Sequence, residues 1–444
     1  MRLLCFTILS LSAVSLFGDW QVTPVWTDGF AVGIGIGPGR DDDTNRLYIT
    51  HITANTIKEF TYDGTWTNTS NISLPFYAEK PLEICDGRND GKMRVYTGEF
   101  WNEGRAAEYT WNGASWDYTA MGSAGQQLLN LVAGDGRNDG VVRLYYSTGS
   151  SPPNNVALEY SYSGGWTHAP ISAPSGYWMG NFGIDLGDGR NDGVNRLYIG
   201  LFPGYAFAEF TWNGSGWTPD IIATGLTQVM ACAVGDGRND NTNRVYALCR
   251  YEGVREYTYS GGNWVLTATI PVSGSSFGLA LGSARNDNVN RLYIVTYEGT
   301  AYEATYTSGW QLSTIGNPGG SLIQVRLGSV HNDNKLRVYV AGSNGIYEYE
   351  WTPGVEEGSE VATARITAPT MFRDRISLEL NYNPQGPVEV AIYNTLGVQV
   401  YKQTFAKSSN RILLSGDRIA RLRSGVYFLQ VRTDQIERLK LIKP

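Results

Sequence analysis

Arg88-Asn89-Asp90-Gly91-Lys92-Met93-Arg94-Val95-Tyr96 is one of seven near-copies between residues 40 and 339. The others are RDDDTNRLY from Arg40, RNDGVVRLY from Arg137, RNDGVNRLY from Arg190, RNDNTNRVY from Arg238, RNDNVNRLY from Arg285 and HNDNKLRVY from His331. The second basic residues are Arg46, Arg94, Arg143, Arg196, Arg244, Arg291 and Arg337, at spacings of 48, 49, 53, 48, 47 and 46. A period near 50 built from short apolar runs and turn residues marks propeller blades, sheets that bury their faces by stacking round an axis.

Each unit divides into four short strands, most plainly in the fourth copy. Phe182 to Leu186 is an apolar run with small residues, suited to a crowded centre. A turn-rich GDGRNDGVN loop follows, then Arg196 to Gly200, Phe207 to Trp212, a Gly-bearing turn, and Trp217 to Ala223. A second recurring element spans the last two strands: Glu, an aromatic, Thr or Ser, an aromatic, a turn, then Trp. It runs Glu59–Trp66, Glu108–Trp116, Glu159–Trp166, Glu209–Trp217, Glu256–Trp264 and Glu303–Trp310. The seventh copy begins at Glu348 and stops at Trp351.

The missing fourth strand stands at the other end. Trp20-Gln21-Val22-Thr23-Pro24-Val25 begins with Trp, like its counterparts, and precedes the first unit. It is expected to complete blade seven and close the ring, leaving no blade open. Pro24 suits an outer edge strand, which needs no further partner. The expected fold is all-β: a seven-bladed propeller over 19–351, then a small Ig-like β-sandwich.

Composition agrees. Apolar residues make up 42% of the 444, enough for a sizeable core, and 53 glycines point to many tight turns. Residues 1–18 read as a signal peptide: Arg2, then an apolar run from Leu3 to Leu16, too short to span a membrane comfortably. Cys85, Cys232 and Cys249 remain after cleavage, an odd number that does not describe a disulfide framework. Cys232 and Cys249 fall on adjacent strands and could meet, or stay as buried thiols. Residues 367–444 hold twelve Lys and Arg against six Asp and Glu, about +6, so the rest carries about −13 and the two sum to the formal −7. An acidic main body argues against nucleic-acid binding.

The recurring loops pair carboxylates: Asp86 with Asp90, Asp135 with Asp139, Asp188 with Asp192 and Asp236 with Asp240. They resemble the FG-GAP type of propeller repeat, and that resemblance implies calcium. Ser283 and Ser329 replace the first Asp in the last two copies, and an arginine sits between each acid pair. The structural reading is that Asn and Asp shape the turns while the arginines pair with aspartates. No other cofactor is indicated.

Aromatics that recur in every unit suit packing between blades. Tyr62-Asp63-Gly64-Thr65-Trp66 resembles the aspartate box of sialidases, but the other copies lack that Asp and no arginine cluster of the kind such enzymes need can be assembled, so the likeness is set aside. The non-recurring loops are better candidates for ligand contact, because binding residues concentrate on loops held by a rigid scaffold. Two turn types lie on one face; the loops between strands two and three and the links between blades lie on the other. That variable face carries Tyr77, Trp101, Glu103, Tyr177, Trp178, Phe202, Tyr205, Tyr251, Glu252 and Tyr297. Ser150 to Asn155 is a further loop of this face. Catalytic signatures are weak. The three histidines, His51, His168 and His331, are scattered, and no nucleophile triad, zinc spacing or phosphate loop appears. Paired loop acids, Glu103 and Glu252 among them, leave glycoside cleavage open.

Residues 352–366 have the composition of a linker. Alternating runs follow at Ile376–Leu380, Val388–Tyr393, Val398–Tyr401 and Val426–Val431, as in a small sandwich. Asn383-Pro384, the nine residues Val390 to Val398, Ser424 to Phe428 and Lys440 to Lys443 give this stretch its identity. On them, 367–444 resembles the type A sorting domain of the type IX secretion system. Here Asn-Pro follows the first strand and Pro444 trails. The resemblance implies passage across the outer membrane and release or display at the cell surface, with the secretion machinery as partner. The first expectation is a non-catalytic propeller that binds a glycan or a protein through its variable face. A secreted polysaccharide hydrolase or lyase and an architectural surface protein are the alternatives.

Overall fold

The structure is a computed structural model that describes residues 18–353 apart from 102 and 150–154, and 366–443 apart from 369–370, 381–385, 395–397, 407–410 and 433–435. The expected signal peptide, most of the Ser150–Asn155 loop, most of the linker and Asn383-Pro384 lie outside the described residues. Asp19–Thr352 forms one compact unit.

That unit is seven four-stranded antiparallel sheets. In blade four the strands are Met179–Gly187, Arg196–Phe202, Ala206–Trp212 and Trp217–Ala223, in that order from the inside. A single parallel bridge, Asn155 to Met179, joins blades three and four. Blade seven is made of Leu322–Gly328, Arg337–Gly342, Gly345–Thr352 and, as expected, the N-terminal Asp19–Trp26. Trp20 stands opposite Trp351 and Pro24 opposite Tyr347, on the sheet's outer edge.

The repeat residues divide the work of holding the ring. The second Arg of each copy forks onto the Asp four residues before it, as Arg94 does with both oxygens of Asp90 at 2.8 Å. The first Arg departs from expectation. It pairs with the recurring Glu of the third strand, not with an aspartate of its own loop: Arg88 with Glu108, Arg137 with Glu159, Arg190 with Glu209, and Arg190 also reaches Asp220 of its fourth strand at 2.9 Å. A buried carboxylate must be met by charge-assisted donors, and a forked guanidinium supplies two. Tyr96 donates a further bond to Glu108, at 3.2 Å, and Trp166 of the next blade another at 3.3 Å. The other face of each first Arg lies on a ring of the next blade, Arg137 on Trp212 at 3.8 Å and Arg285 on Trp351 at 3.7 Å. His331 takes the same place in blade seven, stacked on Tyr62 with centroids 3.4 Å apart.

Asn in the loop joins blades through backbone atoms. Asn89 accepts from the N–H of Val142 at 2.7 Å and donates to its carbonyl at 3.0 Å. Asn138, Asn191, Asn239 and Asn286 repeat the grip, and Asn332 closes the circle onto Asn45. Asp41 stands in for Asn in blade one and accepts from Met93 at 3.0 Å. The gripping residue and the one two places on both have positive φ, 58° at Asn89 and 81° at Gly91. That explains why the second position is written only as Gly, Asn or Asp.

The Trp that opens each fourth strand packs edge-on against the second-strand Tyr of the preceding blade. Tyr145 with Trp217 at 5.7 Å is typical. The recurring aromatics therefore serve blade stacking. Cys232 faces Ala247 and Cys249 faces Val229 across the ladder, so the two do not meet; with Cys85 they are free thiols whose pKa burial pushes up.

The C-terminal strands form two sheets. One holds Ile366–Thr367, Arg375–Leu380 and Arg411–Ser415; the other holds Gln399–Phe405, Val388–Asn394, Gly425–Arg432 and Ile436–Lys443. Ile376, Leu378, Val390, Ile392, Leu414 and Leu429 form the core between them. Ile366–Thr367, Arg411–Ser415 and Ile436–Lys443 go beyond the four strands read from sequence, the first too short to show alternation and beginning inside the expected linker, the other two with basic residues diluting the apolar pattern.

Candidate functional site

The four Asp pairs are engaged within their own loops. Asp86 accepts the N–H of Asp90 at 3.1 Å and of Gly91 at 2.8 Å. Asp135, Asp188 and Asp236 do the same with Asp139, Asp192 and Asp240 and the residues after them. Asp139, Asp192 and Asp240 accept from the following Arg, as Asp90 does. The bond from Arg94 holds the Asp90 carboxyl down at about 2. Among the described residues one cluster has the spacing of a metal site, His331, Glu348 and Glu350. There Arg337 already lies 2.9 Å from Glu350, and His331 reaches Glu348 at 2.8 Å.

The variable face brings several of the ten selected residues together. A pocket of about 240 Å³ between blades two, three and four is lined by Trp101, Phe202 and Tyr205, with Phe100, Phe182 and Met179. Gln127, Asn181 and Gln228 supply its amides. Phe100 stacks on Phe182 with centroids 6.0 Å apart and meets Trp101 edge-on at 4.6 Å. Phe202 and Tyr205 meet at 5.3 Å. Trp101 is 49% exposed, so its ring is open to a partner. Tyr77 stands 6.5 Å behind Phe100 and bonds Glu79 at 3.1 Å.

Tyr251 and Tyr297 form a second exposed group, 64% and 52% accessible. Tyr297 packs on Phe277 at 5.4 Å, and Arg250 lies between Tyr251 and Phe277, 5.2 and 5.0 Å from their rings. Amides link the two groups: Arg250 donates to Gln228 at 3.2 Å, and Gln228 to Asn181 of the pocket at 3.3 Å.

Seven of the ten selected residues do not line the pocket: Tyr77, Tyr251 and Tyr297, already placed, and four more. Tyr177 packs into the core beneath, and exposed Trp178 is fixed by its N–H on Phe202 at 3.1 Å. Glu252 is engaged by Arg255 at 2.5 Å and by the N–H of Thr227. Glu103 lies exposed in its loop, its carbonyl bonded by Ser123 and Gly125.

The first strands line the axial channel. Counting five residues back from the position opposite each second Arg gives Val32, Lys80, Leu129, Phe182, Met230, Phe277 and Ile323. All seven fall where the ladder register shifts, and such bulges re-aim a side chain. Lys80 alone in this ring is charged. It reaches across from blade two to the carbonyl of Phe277 in blade six at 3.0 Å and lies 5.1 Å from the ring of Phe182. Burial brings its pKa down to about 7. Three residues further along, Glu83, Asp185 and Arg326 share one level, with Arg326 3.4 Å from Glu83. Burial pushes Asp185 up to about 6. Sequence reading missed Lys80, Arg250 and Phe277. The signal was present: Lys80 breaks a ring that six other units fill with apolar side chains.

Residues 369–443 match the model of the secretion system C-terminal sorting domain. That tail addresses the chain, through type IX secretion, to the cell surface or the medium. No helix among the described residues is long and apolar enough to cross a membrane. No curated protein sequence matches the chain. A lectin of Burkholderia pseudomallei superposes with TM-score 0.55 at 12% identity, covering 75% of this chain and 98% of its own. Virginiamycin B lyase of Staphylococcus aureus does so with TM-score 0.52 at 14% identity, covering 75% and 99%. The WD40 propeller domain of Doa1 gives 0.51 at 13%, covering 76% and 97%. These likenesses show the propeller fold alone.

Proposed function

We propose that the exported propeller is a recognition module that binds a saccharide or protein ligand at the Trp101–Phe202–Tyr205 pocket without transforming it. The observation that carries this reading is the lining. Of its twelve residues only Tyr205 has an ionisable side chain; the rest are apolar, aromatic or amide. Such a surface stacks on a partner's apolar faces and bonds its hydroxyls or amides. It holds no carboxylate pair, nucleophile or general base. Glu103 and Glu252, the acids a cleavage mechanism would draw on, lie outside it. The recurring carboxylates support scaffolding rather than metal binding, since arginines and backbone amides already take their oxygens.

The test is an array of defined glycans and surface peptides probed with the mature chain. Trp101→Ala is expected to abolish retention at an unchanged thermal midpoint, with bound glycans recovered intact. Shortened glycans, or retention that ignores Trp101, would count against the reading.

A further inference from the structure

Among the described residues, two cations on the variable face stand without an ion-paired acid. Of the propeller's seventeen arginines sixteen are ion-paired, whereas Arg250 bonds only Ser275, Gln228 and aromatic faces. Lys80, 3% exposed, has a carbonyl and two rings as its partners and no ion pair. Both lie against one ring, Phe277, at 5.0 and 5.7 Å. The nearby acids are held elsewhere: Glu79 by Tyr77, Glu298 by the N–H of Ser275. In a body of about −13, an uncompensated positive spot calls for an anion from outside.

The rest of the surface says what carries that anion. Exposed Tyr251 and Tyr297 flank Arg250, and the amides of Gln228 and Asn181 lead from it to the aromatic pocket. Rings for sugar faces, amides for hydroxyls and a guanidinium for a carboxylate occur together in one track. A pocket of about 240 Å³ suits a small unit such as a sugar ring better than a folded peptide segment. Resting on the binding reading above, we propose that Arg250, backed by the buried charge of Lys80, holds the carboxylate of an acidic saccharide whose neighbouring sugar occupies the Trp101 pocket.

Calorimetry on the mature chain tests this with three probes: an oligogalacturonate, the same oligosaccharide with its carboxylates reduced to alcohols, and an oligoglutamate. The uronate is expected to bind about tenfold or more tighter than the reduced sugar. Arg250→Gln should erase that preference while leaving the thermal midpoint in place. If that variant loses stability, salt gives the same reading on the wild type: rising salt weakens the uronate and leaves the neutral sugar alone. Equal binding of both sugars, dependent on Trp101, overturns the acid assignment and keeps the pocket. Arg250-dependent binding of oligoglutamate without the uronate moves the site to acidic peptides and overturns the saccharide. Binding of none of the three below about 1 mM overturns the acidic-saccharide assignment, and the glycan and peptide array then decides the pocket reading by itself.

Discussion

The indole of Trp20 meets the indole of Trp351 edge-on, centroids 5.4 Å apart, and on its other side meets Tyr293 of the preceding blade at 5.8 Å. The first strand of the mature chain is thus a working part of the last blade, with Trp20 filling the position that Trp217 and its counterparts fill elsewhere. Trp20→Ala is expected to cost about 3–5 kcal/mol, the range for emptying a buried indole site. Denaturant unfolding measures it; a loss under about 1 kcal/mol would mean that the ring does not depend on this seal.

Glu108 is a fully buried carboxylate between Arg88, Tyr96 and Trp166. Glu108→Ala strands the Arg88 guanidinium and should cost about 3–5 kcal/mol. Glu108→Gln keeps the shape and acceptors and should cost less. Equal losses in chemical denaturation would deny the charge pairing its part.

Acid should loosen the ring at a definite place. The arginines hold Asp90, Asp139, Asp192 and Asp287 down at about 2. A carboxyl lowered by folding adds stability above its unfolded pKa near 3.9 and loses it as pH falls through the folded value. Thermal midpoints should therefore be level with respect to these pairs above about pH 4 and decline toward pH 2. These carboxylates are nearly half exposed, so each share is small and sums by repetition. A calcium chelator at neutral pH should leave the midpoint where it is; a fall would reinstate metal in the loops.

Binding of the acidic sugar should depend on pH through Lys80. Below about 7 the amine already carries its proton. Above that, pairing with a carboxylate requires proton uptake, so affinity should fall, by at most tenfold per pH unit. Glu79 favours the charged amine and Arg326 opposes it, while the other groups packed against the amine are the rings of Phe182 and Phe277, with the Arg250 guanidinium on the same Phe277 ring. Asp185 changes charge near 6 on the channel ring below, so any step there belongs to it. Lys80→Met should flatten the profile above 7. An unchanged profile in that variant removes Lys80 from binding.

The architecture was legible because the repeat writes it: a Trp-led strand missing after Trp351 and present at Trp20 leaves one way to close the ring. The pairing of Arg88 with Glu108 was harder, since twenty residues and a strand turn separate them and Asp90 lies nearer in sequence. Trp101, Phe202 and Tyr205 were visible as aromatics in loops that do not repeat. Phe182 and Phe277 were hidden because an apolar residue in a first strand reads as core, and only the register shift turns it to the channel mouth. Arg250 becomes conspicuous only once every other propeller arginine has found its acid.

The grip of Asn89 on Val142 touches no side chain. Because the loop amide recognises only peptide groups, a blade accepts any neighbour that presents its strand start in the same way. Copies could then be duplicated, exchanged or cut at a different junction without redesign of the seam. Lineages carrying this repeat would be free to diversify their exposed loops unit by unit while the hoop beneath them stayed shut.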